Sequence, residues 1–378
     1  MTEETPHTET APPPPRKRSW FSRILLWLNG MAIAALALAC LAPFVSPAVF
    51  WPLAFFGLLH PAFAFVNFLF LLWWLFRRKR IFIYPLVVLL LSLPFYGRQF
   101  HFTFGKPEHS PANAFTVMSY NVKLFDLYNW SHNKQTRSKM FSLISSQHPA
   151  ILNLQEFFTR KPDYPNLDSL KSLLHLPHAH AEYTIANQKG SWGVVTFSRF
   201  PIVDQGRIVF NNRNNNICIY TDLLVDGDTI RVYNMHLQSV SFGYADYKFM
   251  EGRMSSEDMN DEMESSKNIL RRMKRAYTKR ARQAESIASH IAACPYPVIV
   301  CGDFNDPPVS YTYRTISANL EDAFYSGESG FGKTFVNPFP VPRIDYILHS
   351  GSMHSWQFRT LQENGLSDHY PVVCEIGK

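Results

Sequence analysis

Between residues 24 and 96 the only Lys, Arg, Asp or Glu side chains are those of the cluster Arg77-Arg78-Lys79-Arg80. A stretch so poor in charge has no water-facing stripe, so its elements must be covered on all sides by lipid or by protein. It divides into three apolar segments, 24–45, 49–76 and 81–96. The first two exceed the roughly 20 residues that a helix needs to cross a hydrocarbon core. The second contains His60, Pro61 and Asn67, which helices packed in a bundle tolerate. The third is short, yet Leu86 to Leu91 is too uniformly apolar for a helix lying on a membrane surface. Three crossings are expected, with Trp51, Trp73, Trp74, Tyr84 and Tyr96 near segment ends, where an aromatic belt belongs.

Residues 1–19 are rich in Thr, Glu and Pro and run into Arg16-Lys17-Arg18, the composition of a disordered tail. Both basic clusters belong on the cytoplasmic side, which makes the tail cytoplasmic. Three crossings then carry everything after residue 96 to the other side; two would leave it inside. A cleaved signal peptide fits poorly, because Ala37-Leu38-Ala39 before Cys40 is a weak lipoprotein box and two more apolar segments follow.

Residues 97–113 read as a linker and 114–378 as one domain, long enough for a large core. Residues 1–96 hold eight Lys/Arg and three Asp/Glu, so +5 of the chain's net +7 resides there and only +2 remains for the rest. The basicity flanks membrane segments, which weakens the case for a nucleic-acid partner. Five cysteines without a C-x-x-C pair argue against structural zinc. Buried free thiols are the default, with a Cys294–Cys301 disulfide left open.

The domain alternates strand and helix patterns. Strands are expected at 115–122, 151–156, 193–198, 217–224, 229–236, 298–301, 344–349 and 372–376, and helices at about 135–147 and 262–292. Asp226-Gly227-Asp228 reads as a tight hairpin turn. Many strands with few helices imply two packed sheets covered by helices. The 239–280 connection, acidic and then basic, reads as a solvated loop feeding a surface helix, or as a lid or a basic face held against anionic headgroups.

Polar groups gather where apolar runs end: Asn121, Glu156, Asn234 with His236, Asp303 with Asn305, and Asp368 with His369. Asp345 sits within a further strand pattern, Arg343-Ile344-Asp345-Tyr346. Asp303 and Asn305, two apart at the end of a strand, are expected side by side on one face. Hard cations take oxygen ligands, a role suited to Glu156 and Asp368 with Asn121 near. The histidines suit donation to an anionic phosphoryl oxygen. Taken singly, each string is more often a turn, a cap or a surface residue.

In this order the strings resemble the endonuclease/exonuclease/phosphatase superfamily, together with Gly193 to Arg199 and Pro201 as a structural strand. The resemblance spans 114–378 and none of the apolar region. It implies an α/β four-layer α-β-β-α sandwich and metal-dependent phosphoester hydrolysis. It also implies roles: Glu156 as principal Mg²⁺ ligand (Mn²⁺ as substitute), with Asn121 and Asp368 completing its shell. Asp303 would activate water, Asn305 would position it, His236 and His369 would donate to phosphoryl oxygens, and Asp345 would orient His369. Phe157-Phe158 stand where DNA-repair members carry Thr-Lys, and His236 where they carry Tyr. The Asn-x-His-Leu form looks like the sphingomyelinase and phosphatase branches.

The leading expectation is therefore a membrane-anchored, extracytoplasmic phosphodiesterase or phosphatase acting on a lipid headgroup or small phosphoester. The alternatives are a nuclease using the basic 267–282 helix as a groove wall, and an inactive membrane scaffold.

Overall fold

The computed structural model describes residues 20–102, 110–210, 216–240, 259–327, 329–336, 343–363 and 365–378, and of 259–266 the backbone only. The tail 1–19 and most of the acidic part of the 239–280 connection lie outside the described residues.

The apolar region folds as helices α1 (Trp20–Leu41), α2 (Pro47–Phe50), α3 (Leu53–Leu58), α4 (His60–Phe76) and α5 (Ile83–Gln99). The stretch 49–76, expected as one helix, is three. The Trp51-Pro52 and His60-Pro61 pairs interrupt it, since proline favours the first turn of a helix and disrupts an interior. Among the described residues two helical spans are long and apolar enough to cross a membrane, Trp20–Phe44 and Arg80–Gln99; His60–Phe76 is shorter. Asn67 bonds the carbonyls of Ala32 and Phe63, so its carboxamide ties α4 to α1.

The remainder is two six-stranded mixed sheets. The first contains β1 (Phe115–Asn121), β2 (Ile151–Thr159), β3 (His178–Asn187), β4 (Gly190–Ser198), β11 (His354–Thr360) and β12 (Val372–Gly377), in the order β11-β12-β1-β2-β4-β3. The second contains β5 (Ile202–Ile208), β6 (Ile217–Val225), β7 (Asp228–His236), β8 (Val298–Asp303), β9 (Leu320–Asp322) and β10 (Asp345–Ser350), in the order β5-β6-β7-β8-β10-β9. Each sheet is built around one parallel pair, β1–β2 and β7–β8. The carboxyl ends of these pairs, with the amino ends of β10 and β12, form one rim.

Between the sheets lies a core that includes Val117, Ile151, Val232, Ile299, Ile347 and Val372. Helices α6 (Thr136–Ser146) and α7 (Asn166–Leu174) cover the outer face of the first sheet through Met140, Ile144 and Leu170. Helix α8 (Met259–Ala292) and helix α9 (Tyr311–Ile316) cover the second through Ala284, Ile287, Tyr313 and Ile316. This is the four-layer sandwich expected from the sequence. Fully burying each such aliphatic side chain contributes about 1.5–3 kcal/mol. Both faces of the central strands are covered, which is why they read as unbroken apolar runs.

The sequence pattern missed β3, β5, β9 and β11. Their exposed or polar alternate residues (Glu182, Asp204, Glu321, Arg359) blur any apolar run, and all four are sheet-edge strands. All five cysteines are free, so the Cys294–Cys301 pairing does not form; Cys301 is buried in β8 and the Cys294 thiol donates to the Tyr296 carbonyl.

Candidate active site

Glu156 reaches the rim because β2 is irregular. Its register with β4 shifts between Leu154 and Phe157, and Glu156 itself has φ 48°. Such bulges re-aim a side chain that regular pleating would place elsewhere, and left-handed backbone at a non-glycine residue clusters at functional sites. Gly302 is required where it stands. Its φ is 140°, and an added Cβ would lie 2.1 Å from the Met235 carbonyl oxygen on β7. That close approach sets His236 directly beside Asp303 in the register.

Beneath the rim a buried polar layer joins the sheets. Gln155 Nε2 donates to Asn234 Oδ1 at 2.8 Å, Asn234 Nδ2 to the Val195 carbonyl at 2.9 Å, and Thr196 Oγ1 to Asn153 Oδ1 at 2.8 Å. Each such bond is worth about 0.5–1.5 kcal/mol net, and losing one partner costs more, so the layer fixes how the sheets face each other.

Above this layer most of the expected side chains converge. Asn121 Nδ2 bonds Asp303 Oδ2 at 3.1 Å and Glu156 Oε1 at 3.3 Å. His236 Nε2 lies 3.5 Å from Glu156 and 3.6 Å from Asp303. Asn305 donates its backbone N–H to Asp303 Oδ1 at 2.8 Å and its carboxamide to Oδ2 at 3.1 Å. The two residues thus meet through a turn, not through strand alternation: β8 ends at Asp303, and Asn305 has φ 53°. His369 Nδ1 bonds Asp345 at 2.9 Å while its Nε2 stands 3.7 Å from Asp303.

Asp368 behaves differently. Its carboxylate pairs with Lys123 at 2.8 Å and accepts weakly from Ser367. Lys123 was not among the residues expected at the site. Thr334, also missed, holds Asp345 in place: its hydroxyl accepts from the Ile344 and Asp345 backbone N–H groups. Neither lies in a run of polar groups at a strand end, so no local signal marks them.

Electrostatics divide the site. Burial pulls the His369 imidazole down, but Asp345 and Asp303 outweigh it and hold its pKa well above the ordinary value. Burial pushes Asp345 up to about 6, with His369 opposing. The charged histidine between two carboxylates is the direction the geometry favours, since both acids lie within ion-pair reach. For Asp368 burial raises the carboxyl, but His369 and Lys123 prevail and lower it.

Two groups of residues could hold a cation. One atom each of Asp303, Asp345 and His369 lie within 4.8 Å of one another. An imidazolium there already neutralises the acids and has no lone pair to offer. The partly open carboxylate of Glu156 suits a hard divalent ion better; Asn121 turns its Nδ2 to that carboxylate and accepts from the Lys123 N–H with its Oδ1 at 3.1 Å. Glu156 is partly open to the cleft, and among the described residues the buried His236 Nε2 beside it has no hydrogen-bond partner. A cleft of about 690 Å³ opens from this point, lined by Tyr128, Glu156, Thr184, Trp192, His236 and Gln238 among others. Among the described residues none of α8 lines it.

A model described as the Endonuclease/Exonuclease/phosphatase family matches residues 118–369. The chain belongs to the endonuclease/exonuclease/phosphatase family. A second model, described as a domain of unknown function, matches residues 22–99. Among solved structures, the endonuclease/exonuclease/phosphatase from Beutenbergia cavernae is similar at 16% identity and a TM-score of 0.50, over 70% of this chain and 71% of that one. The mannosyl-6-phosphatase of Bacteroides thetaiotaomicron is similar at 18% identity and a TM-score of 0.50, over 70% of this chain and 100% of that one. A comparison with curated proteins gave no match. Endonuclease/exonuclease/phosphatase members are hydrolases of phosphoester bonds, and this chain is such a hydrolase. The family is typically dependent on a divalent metal.

Proposed function

We propose that this chain is a membrane-anchored, Mg²⁺-dependent phosphoesterase whose substrate is a lipid headgroup or small phosphoester. The single observation that carries this is the convergence of Asn121, Glu156, His236, Asp303, Asn305 and His369 in one connected cluster. Glu156 and Asn121 would hold the cation, with Asp368 close enough in sequence and space to His369 to tune its field. Bound there, the cation supplies Lewis-acid stabilisation of phosphoryl charge. Asp303 takes a proton from the attacking water, and Asn305 fixes that water and the carboxylate together. His236 and His369 present N–H groups toward charge that develops in the transition state, and Asp345 fixes the tautomer and ring plane of His369.

Anchoring draws support from the shape of the apolar bundle. The α1–α4 connection touches α8 and Val309, and the end of α5 touches Arg343, all at one end of the bundle. Arg77–Arg80 joins α4 to α5 at the opposite end. With that cluster in the cytoplasm, the catalytic domain would be extracytoplasmic.

The test is release of phosphate or phosphorylated headgroup from a lipid panel by the full chain, with and without EDTA. EDTA is expected to abolish release; unchanged release under chelation would sink the metal reading. Plasmid nicking that falls steeply with salt would favour a nuclease instead.

A further inference from the structure

Arg280 lies on α8 but is 1% exposed, its guanidinium turned into the domain. Its Nη1 donates to the Gln238 carbonyl at 2.7 Å, and its Nη2 donates to Asp306 Oδ1 at 3.2 Å. Gln238 is two residues beyond His236, and Asp306 is one beyond Asn305. The same two loops are tied by Leu237 N–H to the Asp303 carbonyl at 3.0 Å and by Asn305 Nδ2 to the Leu237 carbonyl at 3.1 Å. A neighbouring side chain on α8, Gln283, accepts from the Gln238 backbone N–H at 3.1 Å. Asp306 is itself buried, and its carbonyl accepts from Tyr346 at 2.8 Å.

One turn toward its amino end, α8 rests on the apolar bundle. Ile269, Met273 and Tyr277 pack against Ala54, Phe55 and Leu58. The Phe55 and Tyr277 rings meet edge-on at 5.7 Å, and the Arg280 guanidinium stands 4.8 Å from the Tyr277 ring centroid. Further along, Thr278 Oγ1 donates to the Pro47 carbonyl. A continuous set of packed side chains therefore runs from α3 to the two loops that carry His236, Asp303 and Asn305.

We propose that Arg280 is a positioning residue that registers the His236 loop against the Asp303–Asn305 loop, with the α3–α8 contact holding it in place. The proposal rests on the reading that those residues carry the hydrolysis. It means that the helical region is part of how the site is built, beyond anchoring it. A displacement of about 1 Å between a donor and a base can cost roughly 10²-fold in rate.

The test uses the full chain in detergent micelles, assayed with Mg²⁺ on p-nitrophenyl phosphate and bis(p-nitrophenyl) phosphate and by amide hydrogen exchange. In Arg280→Met, kcat is expected to fall about 10²-fold with KM nearly unchanged, and exchange at residues 237–240 and 303–306 to speed up together. Arg280→Lys, which keeps one donor, should recover part of both. The double variant Arg280→Met with Asp306→Asn removes the unpaired buried carboxylate, so its melting temperature should return toward wild type while kcat stays low. Phe55→Ala should give a smaller change of the same kind. Full recovery of kcat in the double variant would show that Arg280 only neutralises Asp306, and unchanged exchange in Arg280→Met would overturn the proposal whatever the activity. Activity surviving in Asp303→Ala would instead overturn the catalytic reading, and the exchange data would still decide the role of Arg280.

Discussion

Two groups of site residues differ in how their charges are kept. On the buried side Asp303 and Asp345 are each 1% exposed and His369 is 6% exposed, three ionisable groups out of water and held by one another. On the open side, the Glu156 and Asp368 side chains are 35% and 38% exposed. Burial makes the first group costly to separate, because leaving a buried charge without its partner costs about 3–5 kcal/mol. It also makes that group stiff, which suits atoms that must meet a reacting centre in one geometry. The open side can admit a hydrated cation and a substrate, at the cost of weaker fixed interactions.

Substitution on the buried side should have the largest effects. Asp303→Ala and His369→Ala are each expected to lower kcat by about 10²–10⁴-fold, measured on a phosphodiester with folding checked by circular dichroism. Near-normal turnover in both would erase the distinction between the two sides. On the open side, Glu156→Gln should act first on the metal: the Mg²⁺ concentration for half-maximal activity should rise well above wild type, with part of kcat recovered at saturating Mg²⁺. A pure kcat loss with unchanged metal response would move the cation to the buried side.

Asp345→Asn sharpens the comparison through pH. The His369 pKa is raised, so the stability it contributes is fully present below the ordinary histidine value and is lost as pH rises through its folded value. Without the Asp345 charge, the alkaline limb of both activity and thermal stability should move to lower pH. An unmoved limb would assign it to another group. The smallest effect is expected from Lys123→Ala, which removes a half-exposed pair worth about 0–1 kcal/mol. Its melting temperature should barely change, and a large shift in metal response would show that Asp368, freed from Lys123, joins the cation's shell.

Much of the site was legible because its residues stand where apolar runs stop. In a sandwich with one functional rim, strand ends are where side chains become available, so Asn121, His236 and Asp303 announced themselves. Asp368 was read as part of a metal shell because it is a carboxylate at a strand end; its pairing with Lys123 is one that no spacing encodes. Arg280 looked like one more charge in a basic run; burial of a single guanidinium cannot be told from its exposed neighbours by type.

The sequence alone determined the separation of an apolar helical region from an α/β domain, and which polar residues end the strands. Those follow from local periodicity and from the aversion of charge to apolar surroundings. Only tertiary structure decided that the strand ends share one rim, that a bulge turns Glu156 inward, and that α3 braces the helix carrying Arg280. Those facts depend on contacts between residues far apart in the chain, and short-range pattern holds no record of them.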